Sequence, residues 1–355
     1  MRDLFTRSTS NPILRPNPAH DWEKKVYNPG AVFHEGKYHL FYRAVGSGSD
    51  WHSSLGYAIS EDGEHFERFD TPLLERDPKN PLELRGLEDP RITKLGDTFY
   101  MAYAAYDGKV PRLCIATSRD LKHWERHGIA APDYNFVATG GKHIRFRNGV
   151  KEESPARLGE EQRSKAGAIF PEKVGGKYWM VFNEHLMWLA TSDDAIHWKV
   201  IPNVFLTARK GPDLFDNAFV ETGPPPIKTK RGWLLMYHGV NDTIQYHLGV
   251  ALLDLKDPTK ILYRADKPIF GPREKYELSG LVDIIPGLTK LLAENKEAEV
   301  KALIQKAERE GFMPQVTFTT AALLVDGIVR LYYGASDEFI CTATAKLSDI
   351  LATIP

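Results

Sequence analysis

Two adjacent acids followed by proline and arginine, Glu88-Asp89-Pro90-Arg91, form the densest chemical signal in the chain. An arginine beside a carboxylate lowers its pKa, while burial raises it, so the placement is costly if buried. On its own the segment could equally be a surface turn broken at Asp-Pro. Three further residues weaken that reading, because Arg43, His238 and Asp337 each stand at the end of an equivalent aromatic segment, and Asn28-Pro29-Gly30 precedes the first such segment. Carboxylates, Arg and His converging with many aromatic rings suit a sugar, whose faces stack on rings and whose hydroxyls take charged partners. Paired carboxylates are also the apparatus of glycoside cleavage, one protonating the leaving oxygen while the other activates water.

Residues so distant in sequence need a repetitive scaffold to meet. One phrase recurs five times: a glycine turn, an alternating aromatic strand, and a second short strand ending in a polar turn. The first strands begin at Gly36, Gly96, Gly176, Gly232 and Gly327, and their partners begin at Leu55, Leu113, Met187, Leu248 and Ile340. Period-two alternation predicts strands with one buried face. In the first three copies an S-x-D-x-x-x-W/F ending predicts a turn whose aromatic folds back on the sheet. Units that cannot bury both faces alone must stack, and five of them predict an all-β, five-bladed β-propeller forming a single domain over residues 1–355. A polar excursion occupies 133–165. Residues 287–310, with Leu, Val and Ile spaced among Lys, Glu and Ala, predict a helical insertion outside the ring or at a contact between copies of the chain.

Composition excludes several classes. Among 355 residues, 46 Lys+Arg balance 47 Asp+Glu, and a net charge of -1 leaves no electrostatic footprint for nucleic acid or an anionic membrane. Apolar runs are far short of a bilayer span. The first residues lack the apolar core of a signal peptide, which gives a cytoplasmic expectation. Two cysteines, Cys114 and Cys341, form neither a disulfide framework nor a zinc spacing. No metal or cofactor is expected: His34, His39, His52, His65 and His123 are scattered singly, Asp193-Asp194 and Glu152-Glu153 read as turn and surface acids, and Gly46-Ser47-Gly48-Ser49 lacks the spacing of a nucleotide loop.

The segments YNPGAV, LFYRA, GLEDPR, AIFPEKVGGKYWM, GWLLMYHGV, LGVALLDLKDP and RLYYGASD, in this order from about residue 10 onward, resemble glycoside hydrolase family 130. That family of five-bladed propellers comprises β-mannoside phosphorylases and β-mannosidases. The resemblance implies a manno-oligosaccharide substrate and Asp89 as general acid, acting through a sugar hydroxyl. It also implies that Asn28, Arg43 and Asp337 hold the mannosyl unit, with Glu88 and Arg91 beside them in the same motif. The family's phosphorylases hold phosphate with an Arg-Asn pair before the strand and an Arg after it. Here Lys165-Ala166 replaces the pair, Asn183-Glu184 follows the strand, and only His238 is retained. Glu221, before the Gly-Pro-Pro turn, puts a carboxylate where phosphate would be repelled and a water-activating base would be served. These departures predict an inverting hydrolase, with Glu221 as the first candidate base. Glu277, in a Y-E-x-x-G match for which Glu308-Arg309-Glu310-Gly311 competes, is the second. Phosphorolysis, with inorganic phosphate as co-substrate, is the alternative. Lys165, His238 and the basic residues Lys142, His143, Arg145 and Arg147 could supply its anion site. A propeller that only binds oligosaccharide is a third.

Overall fold

The computed structural model describes residues 3–46, 52–147, 150–211, 213–241, 245–278, 296, 299 and 315–355. The expected helical insertion at 287–310, and Glu308 with it, lies outside the described residues except for 296 and 299. Among the described residues the regular structure is almost wholly β, with short helices at Lys275–Leu278 and Leu347–Ala352.

Five antiparallel units follow one another. The first comprises Lys25–His34, Lys37–Val45, Ser53–Ser60 and Glu67–Arg68, and the second Gly86–Leu95, Thr98–Tyr106, Pro111–Ser118 and Glu125–Ile129. A single parallel bridge, Ser53 to Gly86, joins these two into one sheet. Gly86 sits at φ +105°, and a Cβ there would lie 1.9 Å from the Ser53 carbonyl oxygen, so no other residue fits the joint. The third unit comprises Ala168–Ile169, Tyr178–Phe182, Leu186–Ser192 and Lys199–Val200. The fourth comprises Phe219–Thr222, Trp233–Val240, Tyr246–Leu253 and Ile261–Arg264, and the fifth Thr317–Val325, Ile328–Ala335 and Phe339–Lys346. The fifth is completed from the other end of the chain: Thr6–Arg7 pairs with Thr344 and Ala343.

The five sequence phrases therefore correspond to the second and third strands of five units. The strand preceding each phrase went unread in the sequence, and it is these first strands that carry Asn28, Glu88, Asp89 and Glu221. First strands touch from unit to unit: Lys25–His34 contacts both Gly86–Leu95 and Thr317–Val325, and Gly86–Leu95 contacts Ala168–Ile169. Between units lie apolar clusters, such as Leu113, Ile115, Met180, Phe182 and Trp188 between the second and third. The expected polar turn is present in three units. Ser60, Ser118 and Ser192 each accept the backbone N–H three residues on, while Asp62, Asp120 and Asp194 each bind two N–H groups and a histidine. Of the 133–165 excursion, Lys142–Arg147 and Val150–Pro155 form a two-stranded hairpin.

Candidate active site

The Asn-Pro-Gly and Asp-Pro-Arg segments lie inside strands rather than in the loops expected from their prolines. The ladder skips between Tyr27 and Gly30 in the first unit, between Glu88 and Arg91 in the second, and between Thr319 and Ala321 in the fifth. A bulge tolerates proline, which cannot donate to a ladder, and it re-aims the side chain beside it. Asn28 and Asp89 consequently adopt φ of 48° and 53°, left-handed values unusual for side-chain-bearing residues. The bulges fit against each other, since a Cβ on Gly30 would meet the Pro90 carbonyl oxygen at 2.5 Å.

Asp89 is buried and its Oδ1 accepts a hydrogen bond from Asn28 Nδ2 at 2.8 Å. Arg43 donates from Nη2 to Glu88 at 2.7 Å and reaches Asp89 from Nη1 at 3.5 Å. Burial pushes the Asp89 carboxyl up, but Arg43, Lys165 and the Asn28 bond outweigh it and hold Asp89 below the ordinary range. Glu88 is shifted the other way, mainly by burial. Asp337, on a turn where Ser336 and Asp337 both have φ 52°, is pushed by burial to about 7 against the pull of Arg43, with Asp89 adding to the rise.

Opposite this cluster stands a second one. Glu221, in Phe219–Thr222, pairs across the ladder with His238. The Lys165 ammonium lies 3.2 Å from Glu184 and 3.5 Å from Glu221, and Arg163 donates to Glu184 at 3.0 Å. Burial raises the Glu221 carboxyl to about 7 despite Lys165, with Glu184 adding to the rise. Glu184 is held far below the usual range because Lys165, His185 and Arg163 outweigh its burial. No hydrogen bond reaches Glu221 Oε1. His238 Nε2 accepts the Thr319 N–H at 2.8 Å, so the neutral imidazole carries its proton on Nδ1, which has no partner. Burial, with Arg91 and Lys165 nearby, keeps that ring from charging. Buried polar atoms without a hydrogen bond cost free energy, so His238 Nδ1, and Glu221 Oε1 with only the 3.5 Å approach of Lys165, read as atoms held ready for a ligand.

The structure therefore brings Asn28, Arg43, Glu88, Asp89, Lys165, Glu221, His238 and Asp337 into two clusters whose charges act on one another. Two expected site residues do something else. Arg91 spends Nε on the Gly223 carbonyl at 2.8 Å, Nη2 on Thr222 at 2.7 Å and Nη1 on Asp89's own carbonyl at 3.1 Å. It ties the acid's strand to the Glu221 strand instead of gripping sugar. Glu277 is fully buried, but it accepts Arg7 on both oxygens, the Tyr333 hydroxyl and the N–H groups of Arg273 and Glu274. A carboxylate so saturated has no lone pair to offer water, and its partners are those of the closing strand. Of the basic excursion, Lys142 pairs with Glu153 and His143 with Glu160, so neither forms an anion site; the side chains of Arg145 and Arg147 lie outside the described residues.

Sequence reasoning missed Glu184 and Arg163. Glu184 occupies the place searched for an arginine, and the acid found instead was the signal. Among the described residues no group of His, Cys, Asp and Glu is arranged to hold a metal, and no helix is long and apolar enough to cross a membrane.

The sequence profile described as β-1,4-mannooligosaccharide phosphorylase, that of family 130, matches residues 5–286. The chain belongs to glycoside hydrolase family 130. Its relatives in the family include two proteins of Thermoanaerobacter sp. (strain X514). One is a β-1,2-mannobiose phosphorylase, 34% identical over 96% of this chain and 97% of that one. The other is a 1,2-β-oligomannan phosphorylase, 32% identical over 97% and 98%. The crystal structure of a glycosyl hydrolase from Bacteroides ovatus superposes with a TM-score of 0.75 at 29% identity, covering 98% of this chain and 95% of that one.

Both Glu221 and Asp337 bind a proton in the folded protein that they release on unfolding anywhere between about pH 4 and 7. Where the native state binds more protons, stability falls as pH rises. The melting temperature of the ligand-free protein is therefore expected to decline through that window more steeply than that of a Glu221→Gln/Asp337→Asn variant. Parallel melting curves for the two proteins from pH 5 to 8 would remove the assignment.

Proposed function

We propose that the chain cleaves β-mannosidic bonds of short manno-oligosaccharides by phosphorolysis, yielding mannose 1-phosphate. The observation that carries this is similarity over nearly the whole chain to two phosphorylases of β-1,2-linked mannosides. It reverses the preference for hydrolysis drawn from Lys165-Ala166. The five units are read as the blades of one five-bladed propeller domain, with first strands innermost.

In this reading Asn28, Arg43 and Asp337 seat the mannosyl ring, and Asp89 delivers the proton to the departing oxygen. Arg43 and Lys165 favour the charged form of Asp89 in the empty site. To act as the acid, Asp89 must take up a proton from solvent as the sugar binds. In the relay that the family resemblance implies, that proton goes to a sugar hydroxyl while the hydroxyl's own proton passes to the departing oxygen. A phosphate oxygen forms the new bond to the anomeric carbon as the glycosidic C–O bond breaks. Arg163 and Lys165 supply cations for it and His238 Nδ1–H a donor, while a Glu221 carboxyl near 7 is partly protonated and repels it less.

Hydrolysis is the second reading, favoured by the unbonded Glu221 Oε1 as base and by the likeness to a glycosyl hydrolase at 29% identity. Incubation with β-1,2- and β-1,4-mannobiose, with and without phosphate, separates the two. Phosphorolysis predicts cleavage that requires phosphate and releases mannose 1-phosphate plus mannose. Free mannose alone at equal rates in both buffers would overturn it.

A further inference from the structure

We infer that Glu184 is an internal counter-anion: its carboxylate occupies the Arg163–Lys165 cation pair and sets the affinity of that pair for inorganic phosphate. The inference rests on the reading that phosphate is the co-substrate.

The geometry is that of an oxyanion already in place. One Glu184 oxygen takes Arg163 Nη2 at 3.0 Å and the other takes Lys165 Nζ at 3.2 Å. A planar carboxylate spanning two cations, one per oxygen, copies the way two phosphate oxygens would be shared. The pair is largely sequestered, with side-chain exposures of 18% for Arg163, 22% for Lys165 and 11% for Glu184. Solvent screening there is weak, and displacing the carboxylate carries a cost.

The backbone holds Glu184 in this position at some expense. Its neighbours Asn183 and His185 both lie at positive φ, 80° and 63°, as does Ala166 beside Lys165 at 55°. Three such residues around one ion pair cluster where a site imposes its geometry. The segment is pinned on both sides, since Asn183 N–H bonds the Lys165 carbonyl at 2.8 Å and His185 N–H bonds the Val220 carbonyl at 2.7 Å. Glu184 also bridges directly to Glu221 in the ladder. Glu221 Oε1, which has no hydrogen bond and lies 3.5 Å from Lys165 Nζ, and the unbonded His238 Nδ1 belong to the same cluster, so atoms open to a ligand adjoin cations that are internally occupied. An arriving phosphate meets no bare charge there. It must exchange with Glu184.

Direct phosphate titration by calorimetry tests this without turnover. Glu184→Gln keeps the size of the side chain but frees Arg163 and leaves Lys165 only its longer contact with Glu221, and is expected to bind inorganic phosphate about tenfold or more tighter than the native chain, the worth of one charge-assisted contact. The gain should vanish in Arg163→Met/Glu184→Gln, which separates a local exchange from a general change in field. Unchanged affinity in Glu184→Gln, or a gain that survives loss of Arg163, overturns the inference. If Glu184→Gln does not fold, Glu184→Asp keeps the charge but is one carbon too short to span both cations. A smaller gain is expected from it, and none would be fatal. A native enzyme that releases only mannose in either buffer refutes phosphorolysis while leaving the anion titration to judge Glu184.

Discussion

Replacing Asp89 by Asn is expected to lower kcat/KM for mannoside cleavage by about a thousandfold, within the range a positioned acid contributes, while leaving the fold intact. Asn is isosteric and can still accept the Asn28 Nδ2 bond through its carbonyl oxygen, so the two interlocked bulges keep their geometry. What disappears is the capacity to take up a proton and deliver it as an acid. Product release from β-mannobiose, alongside circular dichroism and melting curves, reads both halves of the expectation. Activity within a few-fold of native would strip Asp89 of its role whichever acceptor the enzyme uses. Loss of sugar affinity with unchanged kcat would recast it as a binding residue.

The second large effect concerns stability. Glu277→Ala is expected to destabilise the protein by about 3 kcal/mol, the low end for breaking a buried pair, because the buried Arg7 guanidinium keeps only Asp3 as counter-charge. It also leaves the Tyr333 hydroxyl and two backbone N–H groups without their acceptor. Denaturant unfolding measures the loss, and Arg7→Met/Glu277→Met should recover part of it by removing both charges. Activity per folded molecule should be unchanged. A variant as stable as the native chain but inactive would return Glu277 to catalysis.

How these two acids divide explains what could be seen in the sequence. Asp89 stood out because acid, proline and arginine side by side are costly to bury, and the structure does bury Asp89 beside Arg43. Glu277 sat in an equally suggestive motif, yet its role depends on Arg7, which lies 270 residues away and reaches it only through strand closure. The five units were legible from alternation and glycine turns. Their first strands were not, because Pro29 and Pro90 read as loop residues and a bulge leaves no pattern of its own. Arg91 was misassigned for a related reason: a guanidinium beside a carboxylate looks like a substrate grip until its donors are traced to the Thr222 and Gly223 carbonyls. Glu184 was overlooked since the search there was for a positive charge.

The pairing of Thr6–Arg7 with Phe339–Lys346 has a consequence for how the molecule is made. A ribosome releases the first ten residues hundreds of peptide bonds before their sheet partner exists. The opening strand must wait as an unpaired edge while the first four units assemble, and edges of that kind attract other chains. Closing so long a loop is entropically slow. The fifth sheet is thus the last to form during synthesis, and the Arg7–Glu277 ion pair is the latch that makes its completion cooperative with the rest.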